Sequence, residues 1–303
     1  MITPLLKLLP GILLSIIAFT ALGQTGPLPG ADQTSNPKAS DKDEATSSFK
    51  FGVSYLSNNT YMGRTDTVTT PVIIPTVKYT FSNGIYFSGG LYFIPNKPKQ
   101  KLDGGDLAGG YDYDINDDLS VGGSFTKLFY SSTSTQIASA ISSTINVNVN
   151  YDNDYLSPAL NVDYNLNKGG INNDFLLSPA VAHDFIFIGI FGDVDLLLIS
   201  PTVTLNAGTQ NFYDAYLAKK QLKSKRLTAA QTKLLNAYEG KLGEFEILDY
   251  ELSAPIEYKS GHFIFQVTPT YAVVENQLPK LIAAQLSDQS GVFYVEVGVT
   301  LKF

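Results

Sequence analysis

The stretch Phe293-Tyr-Val-Glu-Val-Gly-Val-Thr-Leu-Lys-Phe303 closes the chain and alternates without a fault. Phe293, Val295, Val297, Val299, Leu301 and Phe303 are apolar, and Glu296, Gly298, Thr300 and Lys302 stand between them. Side chains on a strand alternate between faces, so this segment has one greasy face and one wet one. Its length is close to the roughly 9–11 residues that a tilted strand needs to cross a bilayer. It reads as the closing strand of a membrane barrel.

The same alternation recurs upstream from Phe49, in about twelve segments. Phe49, Phe51, Val53 and Tyr55 form the first, and Ile73, Pro75, Val77, Tyr79 and Phe81 the second. Ser82-Asn83-Gly84 then turns the chain into Ile85, Phe87, Leu91 and Phe93, and an Asn-Gly between two alternating runs is a strong hairpin signal. Further apolar faces follow at Leu107–Ile115, Leu119–Phe125, Ile145–Tyr151, Leu156–Leu166, Phe175–Phe187, Leu197–Leu205, Leu248–Tyr258 and Phe263–Val273. Connections near Asn83, Asp117, Asn153, Gly189 and Gly261 are short; those around Arg64, Lys97, Ser134, Lys168, Lys223 and Lys280 are longer. That parity matches short periplasmic turns and longer external loops, with both chain ends periplasmic. The prolines at 75, 158, 179, 201 and 269 fall within strands and predict bulges or bends.

The pattern predicts an all-β, transmembrane antiparallel β-barrel of about twelve strands, with 10 or 14 as the neighbouring possibilities, over residues 48–303. Leu5 to Leu22 is an apolar run followed by small residues and reads as an export signal over 1–23. A permanent transmembrane helix is the alternative, disfavoured by Pro10 and Gly11 and by the absence of a positive stop-transfer cluster. Residues 24–47 are rich in Pro, Gly, Ser, Thr and Asp and predict a flexible linker. The 303-residue chain has 44% hydrophobic residues and a mean hydropathy near zero, as a barrel with a polar interior allows. It has no cysteine, which excludes disulfides, thiolate metal sites and a lipid-anchoring cysteine. A net charge of -7 argues against nucleic acid as a partner.

Sorted by face, the wet side collects Asp112, Asp114, Asp152, Asp163, Asp184, Asp249, Glu251, Glu257 and Glu296, against Lys50, Lys78 and Lys302. An enclosed lumen with that excess of carboxylates favours cations if a continuous water path exists. Alternatively, these groups form a hydrogen-bonded plug, since about twelve strands lie between filled eight-stranded barrels and open porins. Only His183 and His262 are present, and His183-Asp184, being adjacent on a strand, point to opposite faces, so no enzymatic activity, cofactor or metal is expected. His183 falls in the lipid-facing set with Val181 and Phe185, an anomaly for that frame. The long loop Thr209 to Leu242 carries a helical pattern in Leu227, Ala230, Leu234 and Tyr238 among several lysines. It predicts one or two short helices capping the external mouth, as a solvated cap or as a basic platform for anionic lipid or an envelope protein partner.

The terminal segment resembles the β-signal of outer-membrane barrels: polar Glu296, Gly298, hydrophobic Leu301 and aromatic Phe303. Tyr61-Met-Gly-Arg64, Asn206-Ala-Gly-Thr-Gln-Asn-Phe-Tyr213, Leu248-Asp-Tyr-Glu-Leu252 and Val267-Thr-Pro-Thr-Tyr271 look like motifs of uncharacterised outer-membrane β-barrel proteins. The resemblance implies an outer-membrane location in contact with its lipid and recognition by the barrel assembly machinery. It brings no catalytic or binding residues. The expected function is a small-solute or cation-preferring pore, with a non-conducting structural or accessory subunit as the rival. A secreted β-sandwich is the third reading, and it would lack an external apolar belt.

Overall fold

The computed structural model describes residues 46–66, 68–98, 100–169, 171–192, 194–219, 227–275, 277–281 and 290–303. The expected export signal, nearly all of the expected linker, and Lys220, Lys223, Lys225 and Arg226 of the long loop lie outside them.

The strands form a closed antiparallel barrel of 12. They are β1 (Ser48–Leu56), β2 (Val72–Thr80), β3 (Ile85–Phe93), β4 (Leu102–Asp114), β5 (Leu119–Tyr130), β6 (Ile141–Tyr151) and β7 (Ser157–Asn167). They continue with β8 (Asp174–Ala182 and Phe185–Ile188), β9 (Leu196–Ile199 and Thr202–Gly208), β10 (Glu246–Ser253 and Ile256–Ser260), β11 (Phe263–Val274) and β12 (Gly291–Lys302). Each pairs with its sequence neighbours, and β12 closes the circuit on β1 from Lys50↔Lys302 to Leu56↔Glu296. The backbone of the last residue completes the seam: Phe303 N–H donates to Phe49 O (2.8 Å) and Phe49 N–H to Phe303 O (2.9 Å). Closure removes the unpaired edges that hydrocarbon could not satisfy.

The outward positions are those that the alternation assigns to lipid. Phe49, Phe51, Tyr55, Val77, Phe87, Phe125, Val147, Phe265 and Val299 all expose large apolar surface on the barrel exterior. Near the short-turn rim the belt turns aromatic, with Tyr79, Phe81 and Phe87 edge to face, and Tyr111 stacked on Tyr113. A continuous apolar outside is unstable in water and matched to a bilayer, which excludes the β-sandwich. Among the described residues no helix is long and apolar enough to cross a membrane.

The prolines mark where the ladder gives way. β8, β9 and β10 are each split, at His183-Asp184, Ser200-Pro201 and Ala254-Pro255, and the splits line up across the sheet. His183 N–H donates to Pro201 O, Ser200 N–H to Pro255 O and Ala254 N–H to Pro269 O, so one crease crosses adjacent strands. A proline has no N–H to give to a ladder, and neighbouring breaks share the distortion. Pro75 and Pro179 stay within β2 and β8, with register pairs missing there on one side. The crease also settles the anomaly at His183. It remains outward with Val181 and Phe185, its ring edge-on to Phe185 (4.6 Å), and its Nδ1–H donates to Tyr155 O (2.6 Å). Asp184 turns inward and accepts from Ser200 Oγ.

The connections form a rim of short turns and a rim of long loops. Two helices form in the longest loop: α1 (Asn211–Lys219) and α2 (Ala229–Glu239). α2 starts at Thr228 with a capping box to Gln231. α1 does not cap the mouth from outside. Phe212 and Leu217 on it are fully buried in a core with Tyr61, Met62, Ile137, Leu176 and Leu248. Its N-terminus is fixed to the wall by Asp174 of β8, whose carboxylate accepts from the amides of Asn211 (2.6 Å) and Phe212 (2.9 Å). A carboxylate there satisfies free N–H groups and complements the helix dipole.

Candidate functional site

The lumen has two halves of different character. In the long-loop half the inward side chains of β1, β2, β3 and β12 are apolar: Leu56, Val72, Ile74, Tyr92 and Val292 make a packed cluster with Ile94 and Tyr294. Leu248 is also buried, although the alternation would send it outward with Tyr250. A bulge between Asn206 and Ala207 shifts the register of β9 against β10, which lets Leu248 join the inner core. This half is filled because the β1–β2 connection turns into the barrel.

That connection forms a small hairpin, Thr60–Tyr61 paired with Arg64–Thr65. Its turn residues Met62 and Gly63 both have positive φ (49° and 68°), as a tight primed turn requires. The hairpin is held on three sides. Tyr61 packs edge-on against Phe212 (4.8 Å), and its hydroxyl accepts from Asn165 Nδ2 of β7 (2.8 Å). Arg64 lies over the Tyr213 ring (4.1 Å) and donates from Nε and Nη2 to Gln210 Oε1 (3.1 and 2.7 Å) and from Nη2 to the Tyr238 hydroxyl (2.8 Å). Gly63 meets β10 so closely that a Cβ there would stand 2.6 Å from Asp249 Oδ2.

The segments singled out in the sequence therefore converge. Tyr61–Arg64 touches Asn206–Tyr213 through Arg64, Gln210 and Tyr213, and touches Leu248–Leu252 at Asp249. Asn206 Nδ2 donates to Asp249 Oδ1 (2.6 Å), and Val267–Tyr271 pairs with the same strand at Leu252↔Tyr271. The motif spacing shows no sign of this contact, because the residues involved are far apart in sequence and meet only on barrel closure. The charge on Arg64 inside an otherwise polar loop was the available signal.

The acidic residues do not form one ring. Asp249 and Glu251 are fully buried on the inner face of β10, beneath the hairpin. Glu257 follows below the crease and pairs with Lys259 (2.7 Å), a lumen cation that the face sorting missed. Asp163 on β7 is buried and accepts from Asn146 Nδ2 (2.7 Å), which begins an amide ladder through Asn148 and Asn150 on β6. Asp112 and Asp114 are exposed on β4 toward the short-turn rim, Asp152 lies in the turn after β6, Asp184 sits in the crease, and Glu296 is half-buried on β12. Asp106 of β4, absent from the face sorting, is buried on the inner wall and accepts from the Tyr92 hydroxyl (2.7 Å).

The basic residues are grouped as well. The registers Lys50↔Lys302 and Lys50↔Lys78 set three lysines side by side on the inner face of β12, β1 and β2. Lys78 Nζ lies 4.0 Å from the centre of the Tyr86 ring. The short-turn half of the lumen is thus polar, with an amide and carboxylate wall on β4 to β7 and a lysine row near the seam. Its accessible inward residues, including Asp112, Ser120, Asn148, Asn150 and Thr300, leave a water-facing vestibule.

No protein-family model matches this chain, and no curated protein sequence matches it. Solved structures that resemble it are barrels. KdgM porin is similar with a TM-score of 0.47 at 12% identity, over 84% of this chain and 99% of that chain. NanC porin follows with a TM-score of 0.43 at 10% identity, over 84% and 100%. The beta domain of the Bordetella autotransporter BrkA gives 0.41 at 6% identity, over 86% and 99%. At these scores and identities the barrel assignment rests on this chain's own closed strand circuit and apolar belt.

Proposed function

We propose that the protein is an outer-membrane barrel that acts as a non-enzymatic, cation-preferring pore for small solutes, constricted from the long-loop side by the Thr60–Thr65 hairpin. The observation that carries this reading is the combination of an apolar exterior with a polar, water-facing vestibule in the short-turn half. In such a vestibule the carboxylates set the sign of the solute that it concentrates. The lysine row works against that sign near the seam, so selectivity is expected to be moderate.

Planar-bilayer recording on refolded protein tests conduction, and an absence of steps above the lipid background would sink it. Under a salt gradient, Asp112→Asn with Asp114→Asn, which neutralise the exposed carboxylates of β4, should move the reversal potential toward zero; an unchanged potential counts against cation selection by that wall. The rival reading, a non-conducting accessory subunit, is favoured by the filled long-loop half, where Tyr61, Met62 and Phe212 are exposed to 2% or less. In that reading the exposed faces of α2 would present the long loop to a partner.

The β-signal resemblance supports a further part of the reading: that the assembly machinery recognises Glu296, Gly298, Leu301 and Phe303. The Phe303 side chain stacks on His262 (5.4 Å) and is otherwise largely exposed, so truncating it to alanine keeps the backbone seam with Phe49 and should cost little in the finished barrel. Phe303→Ala should nonetheless reduce outer-membrane levels in cells while leaving refolding into detergent intact. Equal loss in both settings would assign it a structural role only. The rim parity supports periplasmic termini. The cysteine-free chain allows a direct check, in which a single cysteine at Ser132 should label in intact cells and one at Ser260 should not.

A further inference from the structure

Below the crease, β8 and β9 abandon the alternation of greasy and wet positions. Phe185-Ile-Phe-Ile188 and Leu196-Leu-Leu-Ile199 are apolar at each position, so both faces of this stretch of wall are apolar. Phe185, Phe187, Leu197 and Ile199 take the outer face, with Leu197 beside Tyr258. The inner face follows from register: Ile186 pairs with Leu198 and Leu198 with Glu257, while Ile188 pairs with Leu196 and Leu196 with Lys259. Glu257 and Lys259 face the lumen, and the four aliphatic side chains therefore do too. Ile186 and Ile188 are 41% and 56% exposed, so apolar surface is left open inside the polar vestibule. Concave apolar surface next to a few charged groups is what a small-molecule site presents.

The charges around this strip are sorted to its two ends. Lys259 stands directly beside Leu196, and its Nζ lies 2.7 Å from Glu257 Oε1. Lys302 is two strands further along, across Ile264, which pairs with Lys259 on one side and with Thr300 on the other. Lys302 is half-buried, and among the described residues no carboxylate pairs with it; the charge that acts on it is that of Lys259. Lys50, its register partner on β1, extends the cationic end. The other end is acidic. Glu257 lies beside Leu198, and Asp184, two residues before Ile186, accepts from Ser200 Oγ.

We propose that the short-turn mouth of the lumen holds a subsite for an amphipathic anion, an aliphatic carboxylate of medium chain length, with its head group at Lys302 and its chain over Leu196, Ile188 and Ile186. The charge sorting sets the orientation, because Asp184 and Glu257 repel a carboxylate at the far end of the strip. Length sets the chain. Lys302 to Ile188 spans four strand spacings, about 19 Å along the wall, part of which the lysine side chain bridges itself. The subsite goes beyond the ion preference of the lumen: Asp112 and Asp114 act on small ions by charge, whereas this strip selects by charge and chain together.

The absence of cysteine allows a test by thiol protection, on full-length protein refolded and held in amphipol. Ile188→Cys is treated with iodoacetamide, a neutral water-soluble reagent, and the alkylation rate is followed by mass spectrometry with increasing octanoate at pH 8. The thiol should react in the folded barrel and be protected saturably by octanoate. Hexanoate should protect severalfold more weakly, since two methylenes fewer are covered, and acetate and octylammonium should not protect at all. Adding Lys302→Gln should raise the octanoate needed about tenfold, as expected for loss of a charge-assisted contact. Asp114→Cys, on the far wall, should react at the same rate with or without octanoate. Heat-modifiable migration in gels confirms folding, and Leu196→Cys replaces Ile188→Cys if the latter fails to refold. An unreactive thiol in the folded barrel, equal protection by acetate or by octylammonium, equal protection at position 114, or no effect of Lys302→Gln would each overturn the subsite. The rates are read without any current, so the outcome stands apart from whether the barrel conducts.

Discussion

Arg64 is the residue on which the long-loop half depends. Its guanidinium joins the hairpin to Gln210 before α1 and to Tyr238 of α2, and it stacks on Tyr213. Arg64→Ala should cost about 1.5–3 kcal/mol, the range for hydrogen bonds to a charged group, read as a lower urea midpoint. Arg64→Lys should recover little of this, because a point charge cannot reproduce a planar fork over a ring. Gly63→Ala introduces a Cβ into left-handed backbone and against Asp249. It should destabilise the hairpin by about 1–2 kcal/mol and increase channel noise. A quiet channel with unchanged stability would mean that the hairpin tip is not seated on β10.

At the scale of elements, β6 separates the two faces cleanly. Val147 and Val149 point outward, while Asn146, Asn148 and Asn150 make the inner amide ladder. Val147→Lys places a charge in the belt and should cost about 2–4 kcal/mol if it lies near the midplane, measured as lost folding into lipid vesicles. Asn148→Lys, one residue away, should fold with nearly wild-type yield. Comparable losses from both would overturn the assignment of faces. The crease across β8, β9 and β10 is the element-scale feature that alternation alone mistakes for flaws. His183 reads as a polar residue in lipid until Tyr155 is found supplying its hydrogen-bond acceptor.

At the scale of the whole molecule, the question is whether the filled half stops passage or meters it. Replacing residues 58–69 by a short Gly-Ser connection removes the hairpin while keeping β1 and β2 joined. If the hairpin is the constriction, conductance should rise severalfold and cation preference should fall, since water would fill the space it leaves. Unchanged conductance would place the narrowest point elsewhere, at α1 or within the lysine row. A silent barrel in both forms would favour the accessory-subunit reading.

The sequence by itself determined the barrel. A period-two pattern repeated along the chain, short and long connections in strict alternation and an aromatic terminal strand are local properties, and a strand's two faces are fixed by the order of its residues. Which inner residues meet was a different matter. Leu56, Val72, Ile74 and Leu248 carry no local mark that sets them in an inner core, and Asp249 does not announce Gly63. Those contacts join segments separated by most of the chain, and they exist only because closure brings the β1–β2 hairpin over β10 and lets α1 sink into the mouth. Alternation can say that a residue faces inward; only the tertiary structure decides whether inward means water, a packed core, or a neighbouring carboxylate.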